Sequence, residues 1–64
     1  MICHIKTLRK QANLTQRQLA VLMETDASTV SRWENLKQYP EFVTLFKLAK
    51  LLNCKVDDLY SNIV

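Results

Sequence analysis

Sixty-four residues hold one domain whose core buries roughly 60% of the surface exposed by the unfolded chain, so association with a second copy is one route to added stability. The chain has no glycine and one proline, Pro40, and is 48% hydrophobic, which excludes collagen-like, linker-like and disordered classes. Its net charge of +3 comes entirely from the part before Pro40, where Lys6, Arg9, Lys10, Arg17, Arg32 and Lys37 outnumber Glu24, Asp26 and Glu34; a polyanionic partner for that half is the implication.

The first predicted helix runs from about Cys3 to Ala12. Ile5, Leu8 and Ala12 recur at helical intervals and so share one side, and Asn13 tolerates the turn that follows. Thr15 and Gln18 form the T-x-x-Q pattern, in which each side chain satisfies the other residue's free backbone amide. The second helix therefore starts near Gln16, with Leu19, Ala20, Leu22 and Met23 on its apolar side. Asp26 can cap a third helix beginning at Ala27, so only Glu24 and Thr25 separate the two.

The third helix extends to about Asn35. Val30 and Trp33 mark its buried side and leave Ala27, Ser28, Ser31 and Arg32 on another, a surface of short, polar and cationic side chains. Beyond Tyr39-Pro40 a fourth helix carries Phe42, Leu45, Leu48, Ala49 and Leu52 at core spacing, with Glu41 at its positive N-terminal end. Asn53 ends it, and Asp57 and Asp58 open a fifth helical turn or two carrying Leu59, Tyr60 and Ile63. No segment alternates with the period of two that a half-buried strand requires. The expected fold class is all-α, a compact five-helix domain over residues 1–64.

Two helices joined by a tight turn, the second with small and basic side chains outside, suit a DNA major groove, although an ordinary helical hairpin has the same outline. Several motifs stand in register: Thr15-Gln16 with Leu19-Ala20, then Val30, Trp33-Glu34 and Pro40, then Thr44-Leu45-Phe46-Lys47-Leu48-Ala49 and Val56-Asp57-Asp58-Leu59. In these the chain resembles the Cro and phage-repressor type of helix-turn-helix domain, the XRE family, over nearly its whole length. The resemblance implies a lambda-repressor-like fold with the motif at about 16–35, a double-stranded DNA partner and a role in regulating transcription.

The same resemblance implies that Ala27, Ser28, Ser31 and Arg32 contact bases, and that Gln16, Arg17, Thr29, Asn35, Lys37 and Gln38 contact phosphates. Arg32 can pair bidentately with guanine O6 and N7; its alternative is a phosphate contact. Arg9 and Glu34 correspond to an internal ion pair between the first and third helices. Asp26 would lie near phosphates or a cytosine amino group unless held as a cap, and the cap is the preferred role. Glu24 and Leu36 stand where the family commonly has glycine, so both turns lack its access to positive φ; Asn35 is the expected left-handed substitute.

Val43, Phe46, Tyr60, Ile63 and Val64 are left over once the core is assigned, which predicts a homodimer through the C-terminal part. The alternative is that Phe46 and Tyr60 complete a small core. Two recognition helices related by a two-fold axis would read a palindromic operator, and occluding a promoter is the simplest mechanism, that of a repressor.

Catalysis is not expected: His4 has no evident partner and a Gly-rich phosphate loop is impossible here, so neither cofactor nor small-molecule substrate is indicated. Cys3 and Cys54 lack a CxxC spacing and are expected to be reduced thiols. With His4 they could meet as metal ligands, but they fall short of a tetrahedral zinc set, so no metal is expected. No apolar run approaches the roughly 20 residues that span a bilayer and the start is unlike a signal peptide; no membrane association and a cytoplasmic location are the expectations. The rival function is a protein-interaction module on the same scaffold, which should carry large apolar anchors on the outer side of the third helix.

Overall fold

The structure, a computed structural model, describes residues 1–62. In chain order they form β1 (Ile2–Cys3), α1 (Ile5–Gln11), α2 (Gln16–Leu22), α3 (Ala27–Glu34), α4 (Phe42–Leu51), a 3-10 turn (Val56–Asp58) and β2 (Tyr60–Ser61). Side chains fix the starts of α2 and α3. Thr15 Oγ1 accepts from the Gln18 N–H at 3.0 Å while Gln18 Oε1 accepts from the Thr15 N–H at 2.9 Å, the reciprocal cap expected of T-x-x-Q. Asp26 Oδ1 accepts from the Thr29 N–H at 2.7 Å. That backbone hydrogen bond, with Thr29's side chain and the nearby Arg32 charge behind it, holds the Asp26 carboxyl below its usual range.

All four α-helices among the described residues close on a left-handed residue one position past the C-cap: Asn13 (φ 61°), Glu24 (58°), Leu36 (58°) and Asn53 (56°). The next amide then reaches back to the helix, Leu14 to the Arg9 carbonyl at 3.1 Å, Thr25 to Ala20, Lys37 to Arg32 and Cys54 to Ala49, the last three at 2.9 Å. This closure satisfies carbonyls that the helix leaves without partners. Asn tolerates the conformation; at Glu24 and Leu36 the β-carbon clash costs about 1–2 kcal/mol each. The expectation for Asn35 is corrected: it is the C-cap with φ −99°, and the closure puts the left-handed residue at Leu36.

Ile5 of α1, Leu19 of α2, Val30 of α3, Leu48 of α4 and Leu59 after the 3-10 turn are completely buried, and Ala20, Met23, Trp33, Ala49 and Leu52 complete the cluster. Each large aliphatic side chain so placed contributes roughly 1.5–3 kcal/mol. Because every helix supplies one of them, the core locks the angle at which α3 leaves α2.

The all-α, five-helix expectation is corrected. After the single 3-10 turn, whose Asp58 Oδ2 accepts from the Lys55 N–H at 2.9 Å, Leu59 enters the core and its carbonyl accepts from the His4 N–H at 2.8 Å. That bond draws both flanks into an antiparallel pair, Ile2 opposite Ser61 and Cys3 opposite Tyr60. Cys3 therefore lies in a strand and α1 begins at Ile5. Ala12, Leu22 and Phe42, expected in the core, are exposed. A helical side chain covers the turn before its own Cα, and Phe42, first in α4, has no such turn; it meets Phe46 edge-on with centroids 5.0 Å apart.

No helix among the described residues is long and apolar enough to cross a membrane. Cys3 and Cys54 are free thiols. The Cys3 thiol donates to the Trp33 carbonyl at 3.4 Å, and His4 Nε2 hydrogen-bonds Ser61 Oγ at 2.7 Å. Among the described residues no cluster of three or more His, Cys, Asp or Glu could hold a metal.

Candidate nucleic-acid interface

α2 packs directly against α3. On α3 the buried Val30 and Trp33 define one side, and the helical period puts Ala27, Ser28, Ser31, Arg32 and Asn35 on the opposite one. Ser28, Arg32 and Asn35 are exposed; Ala27 and Ser31 are half-buried. No large apolar side chain interrupts this surface. Asn35 Nδ2 donates to the Ser31 carbonyl at 2.8 Å and to Ser31 Oγ at 3.3 Å, which holds its amide against the end of α3.

One carboxylate joins three helices below that surface. Glu34 Oε2 accepts from Arg9 Nε at 2.7 Å, and Glu34 Oε1 accepts from Gln16 Nε2 at 2.9 Å. Arg9, a buried charged residue on α1, also donates through Nη1 to the Leu14 carbonyl at 2.8 Å. The first residue of α2 is thereby tied to the last residue of α3. Gln16 is half-buried, Arg17 beside it exposed.

Arg32 is held as well. Its Nε donates to Gln38 Oε1 and its Nη2 to Thr29 Oγ1, both at 2.9 Å. Lys37 and Gln38 are exposed, in the segment that Leu36 turns back, and both backbone amides donate to the Arg32 carbonyl, at 2.9 and 3.3 Å. Sequence spacing did not connect Gln38 with Arg32, because the partner lies beyond the helix and outside its period. Likewise only the family resemblance brought Arg9 and Glu34 together, and nothing in the sequence added Gln16 to them.

Farther from this surface, Phe42, Val43 and Phe46 on α4 are 73%, 77% and 55% exposed. Tyr60, grouped with Val43 and Phe46 in the sequence, packs against the core beside Tyr39, with centroids 6.0 Å apart. Burial, and Cys3 beside it, push its phenol well above the usual value. Ile63 and Val64, also in that group, lie outside the described residues.

A family model described as helix-turn-helix matches residues 5–59 of the chain. The chain is also 35% identical over 57 residues to the HTH-type transcriptional activator BcrR of Enterococcus faecalis, an alignment that covers 89% of this chain and 28% of that protein. The chain thus spans less than a third of the length of this relative.

Proposed function

The chain belongs to the helix-turn-helix family, and from that premise we propose that it is a sequence-specific regulator of transcription that lays α3 in the major groove of double-stranded DNA. The observation that carries this is the outer side of α3, where Ser28, Ser31, Arg32 and Asn35 present small, polar or cationic groups and no apolar anchor. A groove about 12 Å wide accepts a helix, and short side chains let its axis approach the bases. A protein-docking helix would need the reverse composition.

In this reading Arg32 reads guanine, while Ala27, Ser28 and Ser31 lie against neighbouring base edges. Gln16, Arg17, Thr29, Asn35, Lys37 and Gln38 fix register on the phosphates. Gln16 keeps one amide hydrogen for a phosphate after giving the other to Glu34. The domain acts by occupying its site and catalyses nothing.

One helix of eight residues is about 12 Å long and covers too few base pairs to be selective. Two copies joined through Phe42, Val43 and Phe46 on α4 would read half-sites roughly 34 Å apart. The operator is then a palindrome, and repression follows from occupancy alone. The Enterococcus faecalis relative, named an activator, supports regulation of transcription without supporting that sign.

Selection from random double-stranded DNA at a fixed, stated salt concentration tests the proposal. The expected result is a palindromic motif with half-site centres about 10 base pairs apart. Failure to enrich any motif, with the protein folded, would overturn it.

A further inference from the structure

Arg32 is exposed, yet its guanidinium is not free to wander. Thr29, one turn back on α3, takes an Nη2 hydrogen, and Gln38, from the segment after the helix, takes the Nε hydrogen. Gln38 is in turn placed by the backbone, since Leu36 turns left-handed and the Lys37 and Gln38 amides fold onto the Arg32 carbonyl. The residue that holds the guanidinium is therefore carried by a closure built on Arg32 itself.

A guanidinium can offer two parallel hydrogens from its Nε/Nη2 edge or from its Nη1/Nη2 edge. With Nε committed to Gln38, the first edge is closed. Both Nη1 hydrogens remain, and with Thr29 on the Nη2 hydrogen beside Nε, the Nη2 hydrogen beside Nη1 remains as well. Fixing a long side chain before it meets its target also removes rotamer entropy that binding would otherwise have to overcome.

We propose that Gln38 is a positioning residue for base recognition, which with Thr29 orients Arg32 so that its Nη1/Nη2 edge meets guanine O6 and N7. The proposal rests on the assignment of Arg32 as a base contact. Gln38 touches no base, but discrimination at one base position depends on it. Because Gln38 accepts through Oε1, its amide hydrogens stay available to a phosphate, and the two roles coexist on one side chain.

The test compares the full chain with Arg32→Ala, Gln38→Ala, Gln38→Glu and the Arg32→Ala/Gln38→Ala double variant, measuring affinity for the selected site with each of the four bases at every position. Arg32→Ala should abolish preference at one position. Gln38→Ala should weaken discrimination at that same position by about tenfold, within the range a bidentate contact provides, and add nothing on the Arg32→Ala background. Gln38→Glu keeps the acceptor oxygen, so it should retain the base preference while binding all sequences more weakly. In the free protein the Arg32 Nε–H should lose the resonance position and exchange protection of a hydrogen-bonded proton in Gln38→Ala and keep a hydrogen-bonded signature in Gln38→Glu, whose carboxylate still accepts.

Uniform weakening by Gln38→Ala across all bases, or an Nε–H resonance that does not respond, overturns the positioning role and leaves Arg32 as the reader. Should Arg32→Ala itself leave the base preference intact, the assignment of Arg32 falls and the positioning role falls with it.

Discussion

Arg9 and Glu34 lie 25 residues apart in the chain and meet with Arg9 Nε 2.7 Å from Glu34 Oε2, their side chains 7% and 2% exposed. Gln16 donates to the other carboxylate oxygen, so α1, α2 and the end of α3 are braced at one group. Such a pair gains little net stability over an apolar replacement, but breaking it leaves a buried charge uncompensated. Arg9→Ala is therefore expected to lower unfolding free energy by roughly 3–5 kcal/mol, a large share for a domain this size. The Arg9→Met/Glu34→Leu double variant should lose much less. Urea unfolding followed by Trp33 fluorescence checks both, and a loss below about 1 kcal/mol in Arg9→Ala, the level of an exposed pair, would show that water replaces the arginine.

Glycine should relieve the two strained helix closures. At Leu36 and Glu24 a β-carbon occupies the left-handed region, so Leu36→Gly and Glu24→Gly are each expected to stabilise the fold by about 1 kcal/mol, the clash removed less the entropy glycine brings to the unfolded chain. Asn13→Gly and Asn53→Gly adopt the same conformation from a tolerant residue and should change little. Thermal unfolding of the four variants separates the pairs; equal shifts at all four sites would contradict the strain at Leu36 and Glu24.

Much of the helix-turn-helix was legible because its signals are local. Thr15 and Gln18 cap each other at a fixed offset, Asp26 stands immediately before α3, and Val30 and Trp33 repeat with the helical period. The paired strands were not legible, since two residues are too few to show alternation and their pairing depends on the Leu59 carbonyl reaching the His4 amide from the other end of the chain. The hold of Gln38 on Arg32 was hidden for a related reason: it exists only because Leu36 adopts a conformation its residue type disfavours.

Asp26 gives α3 a pH signature. Its folded carboxyl titrates below the ordinary value of 3.8 because the charged form accepts from the Thr29 amide, so its contribution to stability is fully present above that value and is lost as pH falls through the lower, folded one. Asp26→Asn retains a capping oxygen without the titration. Melting temperatures of the two proteins should run parallel above about pH 5 and converge as pH falls below 3.8. A widening gap on acidification would mean that the cap does not depress the carboxyl.

Phosphate contacts should declare themselves through salt. Cationic side chains such as Arg17 and Lys37 displace counterions from DNA, so a dimer is expected to give a slope of log affinity against log salt on the order of −4 to −7. Lys37→Ala removes one contact per half-site. It should reduce that slope by about 2 while weakening all sequences alike, in contrast to Arg32→Ala. A titration with no salt dependence would count against DNA binding by this surface.

The α4 surface yields the last prediction. Phe42, Val43 and Phe46 are largely exposed, and the two phenylalanine rings meet edge-on. Apolar rings held together outside a small core lose contact with water only if something covers them, and a second copy of the same surface is self-complementary under a two-fold axis. Lys47 and Lys50 flank the rings, and their stems can cover apolar area while the ammonium groups stay in water. Phe46→Glu places a carboxylate in the middle of that contact. Because the side chain is already 55% exposed, helix content by circular dichroism should be unchanged, whereas sedimentation equilibrium should shift from dimer to monomer. Operator affinity should fall steeply, since half-sites about 34 Å apart would then be bound independently, and a single half-site should be bound as well as before. A wild-type protein that sediments as a monomer, both free at high concentration and on a palindromic site, would remove α4 as the interface.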